Sequence, residues 1–240
     1  MFDVPTVYVF RGITQELDPG FTMQPAGDLG IALTSGEGGL KSSAVNFGVW
    51  HSLQTGSTGS DGPSELHYEE DFYATLGLGF AKSISLGTTF TAYTRPERRI
   101  QHGQELSFKV SQASRFNPYG TLAFELSGQA DGGGSEGTYL ELGAGPAFPL
   151  KANGPTLTIP IKFGFSLSDY YESGGEDHKI RLLRHRRSDR NPVHRSVPSN
   201  YGTWNVHGGV DFLALGDTTK ALNDDSSSKV VGLIGIGVSY

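Results

Sequence analysis

Long segments in which apolar and polar residues alternate one by one constrain this chain most. In residues 66–80 the even positions are mostly apolar or aromatic, from Leu66 to Phe80, whereas Glu69, Asp71 and Thr75 stand at odd positions. A period of two over that length does not gather apolar residues on one side of a helix, but it gives a β-strand one apolar and one polar face. The segment is therefore predicted to be a strand.

The same alternation recurs along the chain, broken each time by residues that favour turns. Gly, Ser, Asp and Pro separate the segments, and no helical period competes with the period of two. The predicted strands cover residues 4–13, 28–34, 44–53, 66–80, 84–94, 104–112, 119–128, 138–148, 156–169, 203–215 and 229–240. The sequence thus predicts an all-β fold.

The last segment, residues 229–240, indicates how the sheet ends. It reads K-V-V-G-L-I-G-I-G-V-S-Y, and no turn signal follows it. An apolar strand at the margin of a sheet invites aggregation, and closing the sheet into a barrel removes the margin. In such a barrel Ile234, Ile236, Val238 and Tyr240 are expected to face outward, and the alternate residues from Val231 to Ser239 are expected to face a lumen.

Segment length separates two antiparallel architectures. A tilted strand needs about 9–11 residues to cross a bilayer, whereas soluble strands cluster near about 5–6 residues. Most segments here have the longer length, which favours a membrane barrel over a soluble β-sandwich. At roughly 20 residues per strand and connection, the chain makes about 12 strands. We predict one domain, residues 1–240, folded as an antiparallel up-and-down transmembrane β-barrel.

Two sets of residues follow from this prediction. Aromatic residues near segment ends are expected to form an interfacial girdle, namely Tyr68, Phe80, Phe148, Tyr170, Tyr171, Trp204 and Tyr240. Charged residues on the polar faces are expected to line the lumen, namely Arg11, Glu69, Asp71, Glu105, Lys109, Glu125, Glu141, Lys162 and Asp211. Their charges would set ion selectivity, or they would pair and pack a narrow barrel. The excess of carboxylates favours a weak preference for cations.

Residues 179–196 break the pattern. Seven of the 19 Lys and Arg residues fall between Lys179 and Arg195 with a single Asp, although the whole chain carries a net charge of −6. Such a run can bind nucleic acid or anionic headgroups, or it can be a solvated loop. We expect no nucleic-acid partner, and we expect the segment to be poorly paired or to lie as a loop outside the barrel.

A third interpretation of residues 179–196 concerns the gene. With codons chosen freely among synonyms, a frame moved forward by one nucleotide encodes R-F-G-Y-F-D-I-G-G-L-I-G-I-P-F-T. That is an alternating, glycine-rich strand at the place where the repeat lacks one. We hypothesise a compensated frameshift over an ancestral strand, and gene sequencing tests it: codons that do not encode this strand in the shifted frame would end the hypothesis.

Several short stretches resemble a known family. They are Y-V-F-R-G-I at 8–13, N-F-G-V-W at 46–50, E-E-D at 69–71, Y-G-T-W at 201–204 and L-G-D at 215–217. They are similar to the TorF family of porins from bacterial outer membranes, over nearly the whole chain except residues 179–196. The resemblance implies an outer-membrane barrel with a pore. The chain begins M-F-D-V-P, so no signal peptide is visible.

The predicted function is passive diffusion of small solutes or ions through a narrow, mildly acidic lumen surrounded by outer-membrane lipid. A barrel that plugs its own lumen and presents loops is the first alternative. An acyl hydrolase is the second, although the histidines are scattered and no Gly-x-Ser-x-Gly motif occurs.

We predict no enzyme activity, no cofactor and no metal. Cysteine is absent, which excludes thiolate sites and disulfides. The loop carboxylates Asp131, Glu136, Asp224 and Asp225 could hold Ca²⁺, but solvated loop charge is the favoured interpretation. The oligomeric state stays open.

Overall fold

The computed structural model describes residues 1–58, 66–96, 102–128, 134–152, 154–173, 176–177, 182–192 and 202–240. Nearly all of its regular structure is β. The strands are β1 Phe2–Pro5, β2 Val9–Phe10, β3 Ile13–Thr14, β4 Glu16–Asp18, β5 Thr22–Ser35, β6 Leu40–Gln54, β7 Ser57–Thr58, β8 His67–Phe80, β9 Ile84–Thr94, β10 His102–Gln112, β11 Tyr119–Ser127, β12 Thr138–Ala144, β13 Ala147–Pro149, β14 Thr156–Thr158, β15 Ile161–Ser168, β16 Glu172–Ser173, β17 Glu176–Asp177, β18 Leu182–Pro192, β19 Thr203–Ala214 and β20 Ser228–Ser239. A 3₁₀ turn, Ala81–Ser83, and one short helix, α1 Asp217–Ala221, complete the set. No helix within these ranges is long and apolar enough to cross a membrane.

One large antiparallel sheet contains most of the strands. Its order is β13-β14-β18-β15-β12-β11-β10-β9-β8-β6-β5-β1-β20-β19. Long strands therefore lie beside their neighbours in sequence, and the N-terminal β1 pairs with the C-terminal β20, with Phe2 opposite Ile236. We call the end of the sheet that carries the 3₁₀ turn the turn end, and the opposite end, where α1 connects β19 to β20, the α1 end.

The strand predictions are confirmed for most of the chain. The predicted segment 84–94 coincides with β9, and segments 66–80 and 229–240 differ from β8 and β20 by one residue at their ends. Segment 156–169 is divided between β14 and β15, with Pro160 between them. Proline has no backbone N–H to donate to the ladder, so the strand is interrupted there.

The prediction of a single strand over residues 4–13 is wrong. β1 ends at Pro5, and β2 and β3 form a small separate hairpin in which Phe10 pairs with Ile13. The two residues between them, Arg11 and Gly12, have φ angles of 44° and 90°. Positive φ at both central residues is the geometry of a tight two-residue hairpin turn, which reverses the chain.

The prediction that the basic segment is poorly paired is also wrong where the structure describes it. β18 pairs with β14 and β15, and it pairs with β19 from Leu183 opposite Ala214 to Pro192 opposite Asn205. Ladder hydrogen bonds join main-chain groups, so a charged sequence can complete a ladder that its neighbours offer. The remainder of the basic segment, residues 179–181 and 193–196, lies outside the described residues.

The two faces of the sheet differ in polarity. On one face, here called the outer face, large apolar side chains are exposed: Val230 is 62% exposed and Ile234 61%. Other exposed outer-face residues are Leu29, Ile31, Phe47, Phe72, Leu76, Phe90, Phe108, Val110, Leu126, Leu142, Phe163, Leu167, Val210, Phe212 and Ile236. The inner face carries buried charges, including Glu105 and Asp211, which are 4% and 2% exposed.

Tyrosines on the inner face lie flat over glycines of neighbouring strands. Gly48 is the partner of Tyr73 across β6 and β8, and Gly143 is the partner of Tyr119 across β11 and β12. A Cβ atom added at Gly143 would lie 2.5 Å from the Tyr119 ring, and one added at Gly48 would overlap the ring of Tyr73. The glycines therefore make room for large side chains against the inner wall.

Candidate functional site

The chain between β1 and β5, residues 6–21, lies against the inner face at the α1 end; we call it the N-terminal segment. It contains the β2–β3 hairpin and β4, which pairs with β7. Val7, Tyr8, Ile13, Gln15 and Glu16 are all buried. The segment contacts side chains from strands distributed widely across the sheet.

Arg11, at the tip of the hairpin, is held by residues from three parts of the sheet. Its guanidinium donates to both carboxylate oxygens of Glu105 on β10, at 2.5 and 2.8 Å, and to the Tyr170 hydroxyl at 2.7 Å. It also lies over the ring of Tyr139 on β12, 4.4 Å from the centroid. The Tyr171 hydroxyl donates to the Arg11 carbonyl at 2.5 Å. A bidentate, largely buried ion pair of this kind fixes the position of the hairpin.

A second anchor holds the other side of the hairpin. Asn223, which follows α1 and is 1% exposed, accepts from the backbone N–H of Thr14 at 3.0 Å. Its amide donates to the Gly12 carbonyl at 2.8 Å. A side-chain amide that satisfies both a backbone donor and a backbone acceptor replaces the strand partner that the short hairpin lacks.

Aromatic rings surround the beginning of the N-terminal segment. Tyr8 packs against Trp50 on β6 and Tyr68 on β8, with ring centroids 5.2 and 6.2 Å apart. Burial raises the pKa of the Tyr8 phenol, and the carboxyls of Glu69 and Asp71 raise that pKa further. Tyr8 therefore remains a neutral phenol, able to donate a hydrogen bond, beside two buried carboxyls.

Glu16 joins the N-terminal segment to the first residue of β5. Its carboxyl accepts from the Thr22 hydroxyl through both oxygens, at 2.6 and 2.8 Å, and the residue is 0% exposed. Burial raises the pKa of Glu16, although hydrogen bonds from Thr22 and from the Tyr8 backbone oppose the rise. The charged form of Glu16 is thus less stable in the folded protein than in water.

Towards the turn end, the inner face is polar and open to solvent. Asp28, Ser85 and Lys109 are exposed there. Lys162 donates to Glu141 at 2.8 Å, and the Tyr119 hydroxyl donates to the same carboxylate at 2.7 Å. The N-terminal segment therefore covers only one end of the inner face.

The structure brings the predicted lumen-lining residues to one face. Glu69, Asp71, Glu105 and Asp211 are buried on it, and Glu125 lies directly opposite Glu105. Lys109 lies over the ring of Tyr119, with Nζ 4.5 Å from the centroid. Arg11 differs from the others, because it belongs to the N-terminal segment and not to a strand of the large sheet.

The predicted aromatic girdle is wrong for three tyrosines. Tyr68, Tyr170 and Tyr171 are at most 1% exposed and point to the inner side, where Tyr68 donates to Gln15 at 2.8 Å. A register shift explains Tyr68, because Ser52 pairs with Glu69 while Leu53 pairs with His67. The extra residue forms a bulge and breaks the alternation.

The other girdle residues lie near strand ends. Phe80 is the last residue of β8, Trp204 is the second residue of β19, and Tyr240 follows β20. All three are at the turn end, and Tyr240 is 95% exposed. Phe148 lies in β13 opposite Leu157.

A cavity of about 200 Å³ lies between the N-terminal segment and strands β19 and β20. Its lining combines Val7 and Tyr8 with the wall residues Asp211, Leu213 and Val231. Asp3, also in the lining, hydrogen-bonds with Nε2 of His207 at 2.8 Å.

A separate cluster lies on the outer face near the α1 end. His51 Nδ1 is 3.1 Å from His67 Nε2 and 3.7 Å from Glu70 Oε1. His51 and Glu70 are direct partners across β6 and β8. The interpretation of the histidines as scattered is therefore wrong for this pair, because strand pairing joins positions that are distant in sequence.

Sequence reasoning missed three residues of this site, namely Tyr8, Tyr139 and Asn223. The signal that was present is Arg11-Gly12 between Val9-Phe10 and Ile13-Thr14, two pairs of residues that favour strands, a pattern suited to a tight hairpin. No protein-family model matches the chain, and a search of curated proteins finds no match. The resemblance to TorF porins thus stays a prediction.

Proposed function

We propose that this protein is an outer-membrane β-barrel of a bacterium, which the N-terminal segment narrows to a small channel. The observation that carries the proposal is the polarity of the sheet, with apolar side chains exposed on the outer face and charges buried on the inner face. In water, such an outer face would be a large unfavourable apolar surface. In a bilayer, the same face would meet hydrocarbon.

The strand pairing supports closure of the sheet. From β18 the order runs through β15, β12, β11, β10, β9, β8, β6, β5, β1, β20 and β19, and β19 pairs again with β18. A closed ring of paired strands leaves no edge strand with unpaired main-chain groups in the hydrocarbon. A protein that crosses a membrane with β-strands must meet this requirement.

The inner face supports passage of small, hydrophilic solutes. Water reaches it at the turn end, as the exposure of Asp28, Ser85 and Lys109 indicates. At the α1 end the Arg11–Glu105 pair and its tyrosines stand in the path, so we propose this pair as the constriction. Among the inner-face side chains that the structure describes, carboxylates outnumber basic residues, which favours a weak preference for cations.

A plugged barrel without transport is the second candidate. The observation that favours it is the burial of Tyr68, Tyr139, Tyr170 and Tyr171 around the N-terminal segment, each at most 1% exposed. In that case the N-terminal segment closes the lumen permanently, and the protein acts through the loops that the barrel presents. The TorF resemblance agrees better with the channel.

Single-channel recording in planar bilayers tests both candidates. The wild-type protein should give small, discrete conductance steps, with a reversal potential in a salt gradient that indicates cation preference. Arg11→Ala removes the ion pair from the constriction and should give larger or longer openings. Lys41→Ala is the matched control, because Lys41 is exposed at the start of β6, at the turn end, and donates to the Glu37 carbonyl.

The outcomes separate the candidates. Folded, inserted protein that is silent in the wild type and in Arg11→Ala would favour the plugged barrel. Equal conductance in the wild type, Arg11→Ala and Lys41→Ala would retain the channel but exclude Arg11 from its constriction. Protein that stays monodisperse without detergent and never inserts would refute the membrane barrel itself.

A further inference from the structure

We propose that His51, His67 and Glu70 bind a divalent transition metal ion of the zinc class at the α1 end of the outer face. The proposal rests on the geometry of these three side chains and is independent of whether the barrel conducts. The donor atoms of all three lie within 4.8 Å of one another.

The two separations from His51 suit one ion bound by all three residues, and the third, between His67 and Glu70, is at most 4.8 Å. Ligand bonds to Zn²⁺ from His nitrogen and carboxylate oxygen are about 2.0–2.2 Å long, so tetrahedral ligand atoms lie roughly 3.3–3.5 Å apart. The separations from His51 Nδ1, 3.1 Å to His67 Nε2 and 3.7 Å to Glu70 Oε1, fall on either side of that value. Small rotations of the side chains would bring them to it.

The chemical nature of the donors selects the kind of metal. Two imidazole nitrogens and one carboxylate oxygen suit Zn²⁺, Cu²⁺ or Ni²⁺ and disfavour Ca²⁺ and Mg²⁺, which prefer oxygen ligands. The side chains of His51 and Glu70 are 25% and 27% exposed, so an ion can reach them and keep water as a fourth ligand.

The backbone makes the arrangement specific. His51 and Glu70 face each other across β6 and β8, and the bulge at Tyr68 lies between Glu70 and His67 in sequence. A bound ion would therefore join β6 to β8 where residues 55–66 connect them. We infer a structural role for the ion at this junction.

The first test is a titration of the folded protein in detergent with Zn²⁺, in which calorimetry measures the heat of binding. The wild-type protein should bind one Zn²⁺ with a dissociation constant on the order of 10 µM or lower. His51→Ala and Glu70→Gln should each weaken this binding by at least about 10-fold, because even partners outside the ligand shell contribute that much to metal sites. Co²⁺ should show the visible absorption of a tetrahedral complex in the wild type but not in His51→Ala.

His207→Ala is the matched control, because His207 bonds with Asp3 and Asn205, away from the cluster. It should bind Zn²⁺ as the wild type does. Glu70→Gln keeps the shape of the side chain, so the test survives if a histidine variant fails to fold. Wild-type protein that binds no Zn²⁺, or His51→Ala and Glu70→Gln variants that bind as the wild type does, would overturn the proposal.

Discussion

At the scale of single residues, the packing of the inner face depends on the positions at which a glycine allows a tyrosine ring to lie flat. Gly48, Gly143 and Gly164 each sit beneath a tyrosine ring of an adjoining strand. The sequence shows the glycines but not the rings above them, because each pair depends on register between strands. Register follows from turn lengths and bulges, and a shift of one residue exchanges the two faces.

Gly48→Ala should destabilise the protein by about 1–3 kcal/mol, the usual cost of overpacking. The added methyl group would overlap the Tyr73 ring, whose hydroxyl donates to Asp28 at 2.6 Å. Moving the ring would break that bond. Urea unfolding in detergent micelles, followed by tryptophan fluorescence, measures the change.

Gly27→Ala is the matched control for Gly48→Ala. Gly27 is on the adjacent strand β5, and a Cβ there has no neighbour within 4 Å. Both substitutions change the unfolded chain alike, so their difference reports the contact with Tyr73. In the Tyr73→Ala background the cost of Gly48→Ala should disappear; a cost that persists there would show that the ring is not its source.

At the scale of elements, the long strands were predictable and the N-terminal segment was not. Alternation over nine or more residues is a local signal, and it placed β9 at its observed ends. The β2–β3 hairpin has strands of two residues, too short for a period to be visible. Its position depends on Glu105, Tyr170 and Asn223, which are far away in sequence and adjacent only after folding.

Asn223→Ala should loosen the hairpin without unfolding the sheet. The substitution leaves the Thr14 N–H and the Gly12 carbonyl without their partner, a cost of about 1–3 kcal/mol. The undocked population should therefore rise roughly 5- to 150-fold. Limited trypsin digestion measures it, because Arg11 is the only Lys or Arg before Lys41 and cleavage there requires undocking.

The fragment that ends at Arg11, quantified by mass spectrometry, should appear faster by the same factor when opening is rapid compared with cleavage. Ser43→Ala serves as the comparison, since it removes an exposed hydrogen bond with Thr34 at the turn end. If Asn223→Ala and Ser43→Ala were cleaved at equal rates, Asn223 would not be an anchor of the segment.

At the scale of the whole molecule, alternation predicted which face is apolar, whereas the prediction that lipid covers this face rested on segment length and on aromatic residues near segment ends. A soluble sandwich buries its apolar face against a second sheet, and alternation alone is the same in both cases. In the structure Phe47 and Val230 are 51% and 62% exposed on the outer face, which supports the membrane barrel that we propose. Alternation does not predict the basic strand β18. Its backbone pairs with β14, β15 and β19 although its sequence does not alternate.

Phe47→Arg tests the environment of the outer face directly. Phe47 lies near the middle of β6, where a spanning strand would be at the centre of the bilayer. An arginine there should reduce the free energy of folding into phosphatidylcholine vesicles by about 2–4 kcal/mol, because the charge must enter hydrocarbon. Urea titration of vesicle-folded protein, followed by the fluorescence of Trp50 and Trp204, measures it.

Phe116→Arg is the comparison that makes this result specific. Phe116 is 61% exposed, more than Phe47, but it lies in the turn between β10 and β11 at the turn end. Near the interface the same charge should cost only about 0–1 kcal/mol. If water covered the outer face, both phenylalanines would be surface residues, and both changes would stay within about 0.5 kcal/mol. A large cost at Phe47 alone therefore requires lipid at the middle of the strand, whereas equal small costs at both positions would remove the basis of the membrane barrel.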